Sequence, residues 1–320
     1  SGDSGSWGEV QTGTGTLTLA DNSTITVYGV GYYPIIGGNL NIGGGTCLIK
    51  GYGLGFFTAV VSGSANIVKN ESLDISLLAA NTFTGTLTAN DGAVYVGNAQ
   101  ALGYTSGGTV INGSAWLDLG ENINVSGESL TMNSSDDWAL AVRDSTSQNT
   151  WQGPVSLSRN TGILTYGNSR LTINGVISGT GGITKAGAGT LVFSGSTANT
   201  LSGAVTVNEG ALELNKTTVN TAIPASVTSL NIGDGLGGAN ADIVRNLAAD
   251  QINSGVPITL RSSGLLDLNN FDDTLGSLTI IGGKLQTGAG TASPYGAITV
   301  ATDAYDTNQT PTLAGNVNLG

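Results

Sequence analysis

A short unit, glycine followed by two apolar residues at alternate positions, recurs along this 320-residue chain at intervals of about twenty residues. It reads Gly92-Ala93-Val94-Tyr95-Val96, Gly189-Thr190-Leu191-Val192-Phe193, Gly210-Ala211-Leu212-Glu213-Leu214 and, degenerately, Gly283-Lys284-Leu285-Gln286-Thr287. Leu191 and Leu212 are 21 residues apart, and Val94 is 23 from Leu117 in the related Ala115-Trp116-Leu117-Asp118-Leu119. Such a period means a solenoid, because one unit cannot bury its apolar row alone while stacked copies bury a continuous column. No stretch sustains a leucine-rich-repeat frame. Short alternating runs such as Thr24-Ile25-Thr26-Val27 and Leu278-Thr279-Ile280, bounded by turn formers such as Asn90-Asp91-Gly92, suit a β-helix with Asn and Ser stacked at its corners. The spacing of Ile243, Leu247 and Ile252 also allows one short helix over 242–252.

Composition removes several chemistries. There is no histidine, so no Ser-His-Asp or Cys-His pair and no imidazole-held metal can form, and the lone Cys47 permits no internal disulfide. The net charge of −12, with ten scattered basic residues, repels phosphate backbones and excludes nucleic acid as a partner. No apolar run reaches the ~18 residues of a membrane helix.

Gly187-Ala188-Gly189-Thr190-Leu191-Val192-Phe193-Ser194-Gly195, followed by Asn199-Thr200-Leu201-Ser202-Gly203 and Val205 through Leu214, resembles the passenger-associated transport repeat of autotransporters. Leu201 stands where the family carries an aromatic residue. Asn81 through Gly103 resembles a second copy and keeps the aromatic as Phe83, and Ile232 through Gly283 is similar to the segments that follow such repeats. The resemblance implies an all-β, right-handed parallel β-helix of roughly 20 to 23 residues per turn, on the surface of or shed from a Gram-negative-type bacterium. It implies no activity, since such repeats encode the rod and its export. The outer-membrane barrel of the family is not recognisable here, and the pattern reads as a fragment of a longer passenger. The expected organisation is one solenoid over 1–320, with an N-terminal cap or irregular turns over 1–60 and a side loop over 133–149.

Candidate sites are few. Asp136-Asp137, Asp272-Asp273 and the pair Asp303 and Asp306 could serve polysaccharide cleavage, but neighbours on a strand point to opposite faces, so turns and solvated corners are the favoured reading. Asp234 and Asp242 flank Gly237-Gly238-Ala239-Asn240, which resembles a single calcium nonapeptide; calcium in such arrays is shared between copies, so no metal and no cofactor is expected. Tyr32, Tyr33, Tyr52, Phe56 and Phe57, with Trp138 and Trp151, either cover the core or form a contact surface. The function these features favour is a non-enzymatic stalk, adhesin or matrix protein that meets cell-surface or matrix glycans or proteins. Self-assembly of copies into fibres through solenoid ends comes second, and a polysaccharide lyase or hydrolase third.

Overall fold

The computed structural model describes residues 9–29, 33–134, 138–302 and 309–319. It is an all-β parallel β-helix of about 22 residues per turn, and the described residues contain no helix. Two compact units are built this way, one from residues 1–143 with 149–154 and the other from 144–148 with 155–320.

In the second unit the strands Arg170–Ile173, Thr190–Gly195, Gly210–Lys216, Asp242–Asn246, Gly264–Asp267, Lys284–Ala292 and Thr312–Val317 pair in parallel, each with the next. Leu191 lies opposite Leu212 and Phe193 opposite Leu214, the register that the 21-residue spacing demands. All four side chains are fully buried. In the first unit Val94 is likewise opposite Leu117, 23 residues on. Alternation decides which side is inside: along Gly210–Lys216 the leucines face in, while Glu213 faces out and pairs with Arg170 at 2.6 Å.

The short helix over 242–252 does not form. Asp242–Asn246 is a strand between Gly210–Leu214 and Gly264–Asp267, and the inward apolar residue is Val244 rather than Ile243. A helix there would strand two sheet edges without partners for their N–H and C=O groups, a cost no single amphipathic turn offsets.

Asparagine serves the corners in three ways. Six of the eight non-glycine residues with positive φ among those described are Asn, the type that best tolerates the left-handed region. On the outer surface of the first unit Asn70, Asn90, Asn112 and Asn133 form a ladder, each side-chain amide donating to the one before at 2.7 to 3.1 Å. Inside, Asn81 accepts from the Val61 N–H and donates to the Ala101 carbonyl, and Asn149 does the same for Ile123 and Gly120. In the second unit Asn199 accepts from Ile177 and donates to Ala222. These buried amides close hydrogen bonds where the strands turn and the backbone ladder is interrupted.

Three lysines do the same work with a charge. Lys185 is fully buried, its Nζ donating to the carbonyls of Ala186, Gly187 and Glu209, while the Glu209 carboxylate accepts from the Gly187 N–H. Gly187 has φ +76°, and a Cβ there would lie 2.3 Å from the Thr165 carbonyl oxygen, so this turn requires glycine. Lys69 meets the carbonyls of Asp91 and Glu71 in the first unit, and Lys216 that of Gly175 in the second.

Candidate functional site

The aromatic residues divide between core and surface. Phe57 and Trp151 are buried, Trp151 with no exposed area, and belong to the column rather than to any contact surface. Tyr52 is 48 % exposed and packs against Tyr28, itself 61 % exposed, with ring centroids 4.9 Å apart and planes tilted by 51°. The placement follows from register: Tyr28 and Tyr52 are direct partners on the strands Thr24–Tyr28 and Thr46–Phe57, and both point outward. Tyr33 meets half-buried Phe56 edge-on at 5.8 Å. Trp138 is half-buried, whereas Trp116 lies beneath the Arg143 guanidinium at 5.7 Å. Tyr32, Asp136, Asp137, Asp303 and Asp306 lie outside the described residues.

The carboxylates are engaged in architecture. Asp272 accepts from the N–H of Thr291, in the strand Lys284–Ala292, at 2.7 Å. Asp273 is not a solvated corner: it is buried and its Oδ2 accepts from Asn246 Nδ2 and from the N–H groups of Gln251 and Ile252. Burial pushes its carboxyl up to about 7 despite these bonds, with Asp250 adding to the rise. Asp242 is buried in its strand and raised to about 6, chiefly by desolvation, and Asp234 accepts from the Leu236 N–H within its own turn. Among the described residues no three acidic or thiol side chains gather as a metal site. Asp118 is raised to about 6 by burial, against the pull of Arg143 at 3.2 Å.

These shifts make stability depend on pH with a definite sign. Asp118, Glu128, Asp242 and Asp273 have folded values of about 6 to 7, above the ordinary carboxyl range. The folded chain therefore holds more protons, and stability is greatest below about pH 4 and falls as pH rises to about 7. Burial lowers Lys69 and Lys216 to about 8 and Lys185 to about 7, so above pH 7 the unfolded chain holds more protons and stability climbs towards pH 10. Relief of the −12 net charge reinforces the acid limb. Thermal melts are expected to give a minimum in Tm near pH 7. Asp273→Asn should raise Tm at pH 7.5 by at least ~2 °C and leave it nearly unchanged at pH 4, because Asn can accept the same N–H bonds without a buried charge. A flat profile, or equal effects at both pH values, would contradict this.

A pocket that no sequence motif marked lies within the first unit. Its volume is about 380 Å³, and its lining includes Gln100, Tyr104, Asn124, Ser126 and Glu128. The turn-rich stretch after Gly97 forms one wall. Gly103, at φ +82°, packs its backbone on Phe83, where a Cβ would fall 2.6 Å from the carbonyl oxygen, and the Tyr104 N–H donates to that oxygen at 2.9 Å. This close approach leaves the Tyr104 side chain 56 % exposed. The opposite wall is fixed by Gln152, which donates to Asn124 Oδ1 at 3.0 Å and accepts from Ser126 Oγ at 3.3 Å. Glu128 is only 2 % exposed; its Oε1 accepts from Thr109 Oγ1 at 2.8 Å and its Oε2 has no partner among the described residues. Desolvation raises this carboxyl to about 7. The available signal was one tyrosine among turn formers, which sequence periodicity treats as an ordinary corner.

The family model of the passenger-associated transport repeat matches residues 10–29 and 183–214. The second match is the segment read from the sequence as the repeat; the first was not recognised there, and the Asn81 to Gly103 stretch lies outside the matched residues. A curated relative, an adhesin autotransporter of Brucella suis biovar 1 (strain 1330), is 30 % identical over 166 residues, or 50 % of this chain. The chain spans only 4 % of that relative's length. No solved structure matches significantly. The matched repeat at 183–214 contains the Lys185 cradle, the buried Asn199 and the stacked Leu191 and Leu212, so the features that build the column are those of the repeat. On that ground the chain carries passenger-associated transport repeats and resembles part of an autotransporter passenger, and the two matches indicate a location at the cell surface or outside the cell.

Proposed function

We propose that the chain is a non-enzymatic adhesive segment, holding the bacterial surface to glycan- or protein-bearing partners. The carrying observation is the contrast between buried and exposed chemistry. The buried ionisable groups with shifted pKa values sit in the strands and turns of the column, where Lys185 and Asp273 take up backbone hydrogen bonds. The surface carries exposed tyrosines among its acidic residues, with Tyr28 packed against Tyr52 and Tyr104 beside a pocket of mixed polar and apolar lining. Exposed tyrosines offer stacking area with a hydrogen-bonding edge at small entropic cost, which suits adhesion better than turnover. The named relative's description as an adhesin agrees with this reading.

Beads coated with the purified chain are expected to be retained, saturably and in competition with soluble chain, on a glycan-bearing cell layer or an extracellular-matrix film. The same chain should leave pectin, alginate and glycosaminoglycans intact, with or without calcium. Retention no better than that of uncoated beads would contradict the adhesive reading, as would depolymerisation abolished by Asp272→Asn.

A further inference from the structure

We propose that the pocket between Tyr104 and Glu128 binds a short, neutral, hydroxyl-rich saccharide segment, an assignment that rests on the adhesive reading and supplies its ligand class. Its volume of about 380 Å³ falls in the ~300–1,000 Å³ range of small-ligand sites. The chemistry of the lining selects among ligands. Lysine and arginine are absent from the lining, and the chain carries −12 overall, so sulfated or phosphorylated groups would meet no counter-charge and a repulsive field. The lining mixes amides and hydroxyls with apolar surface from Ala99, Leu102 and Val125, which suits a ligand that has both polar and apolar faces. A sugar ring presents hydroxyls that both donate and accept around its edge, and an apolar C–H face that packs on an aromatic ring.

Both parts have a counterpart here. Tyr104 projects an exposed ring from a turn whose backbone is held against Phe83. Asn124 and Ser126 are held in place by Gln152, so little side-chain freedom is lost on binding. Glu128 lies beneath the lining, with a carboxyl oxygen that has neither a partner among the described residues nor accessible surface, so the groups a ligand meets are Tyr104, Asn124 and Ser126. The other Glu128 oxygen is fixed by Thr109, so the carboxyl cannot swing away.

The test uses chitotetraose, maltotetraose and cellotetraose as neutral probes and a heparin tetrasaccharide as the anionic one, with binding read by calorimetry and saturation-transfer NMR. At least one neutral probe is expected to bind with a sub-millimolar Kd and the heparin probe not to compete. Tyr104→Ala should weaken that binding at least fivefold with an unchanged melting temperature, because the side chain is exposed. The assignment is overturned if no neutral probe binds at 10 mM, if Tyr104→Ala leaves the Kd unaltered, or if heparin binds more tightly. It is also overturned if Tyr104→Ala abolishes bead retention on an enzymatically deglycosylated film, since the pocket would then dock protein. Retention of coated beads on the cell layer without saccharide binding would remove the pocket assignment and leave the adhesive reading standing.

Discussion

Leu212→Asp is expected to lose at least ~4 kcal/mol of stability, enough to eliminate the cooperative melt of the turns around it. Leu212 has no exposed area and stands in register between Leu191 and Val244. An introduced carboxylate would enter a column of aliphatic side chains with no donor beside it. The neighbouring position is the control. Glu213 points outward to Arg170, so Glu213→Gln should cost no more than ~1 kcal/mol. The two substitutions differ by one residue along a strand of period two, so a slipped register would exchange their effects. Circular dichroism melts of both variants decide, and an unaltered Tm for Leu212→Asp would contradict the assigned inner face.

Asn199→Ala should have the second largest effect, roughly 2–6 kcal/mol, because it leaves the Ile177 N–H and the Ala222 carbonyl buried without partners, at about 1–3 kcal/mol each. Asn112, in the outer ladder, is half-buried, so water can replace its bonds and its loss should cost only ~1 kcal/mol. A chemical denaturation series separates the two. Equal costs at the two positions would mean that the inner amides do not close the corner.

Strand stacking was legible in the sequence because it depends on one repeated distance. The 21 residues from Leu191 to Leu212 fix which side chains meet, and alternation then fixes which face is inside. The 242–252 segment stayed open for the same physical reason: apolar spacing over eleven residues also fits a helix, but the adjacent strand edges settle the outcome through hydrogen bonds that the segment's own sequence does not display. Asp273 read as a solvated corner because a carboxylate is usually exposed. Its inward turn follows from three donors, Asn246, Gln251 and Ile252, which only the fold assembles. Phe57 and Trp151 could not be separated from Tyr52 by residue type, since that depends on strand parity and on which turn lies above. The pocket at Tyr104 was the least legible feature, because its two walls come from segments about twenty residues apart, and the first is placed by the close packing of Gly103 on Phe83.

The central claim, parallel strands stacked one turn at a time, is tested most directly by a distance along one face of the second unit. Thr184, Thr206, Asn231, Thr259, Thr279 and Thr299 are successive register partners, five strand steps from first to last. At ~4.8 Å per step the end positions should be about 24 Å apart. Spin labels at Thr184→Cys and Thr299→Cys, in a chain whose buried Cys47 is replaced by alanine, should give a narrow pulsed-EPR distribution centred within a few ångströms of that value. A broad distribution, or a centre beyond about 40 Å, would contradict the stack.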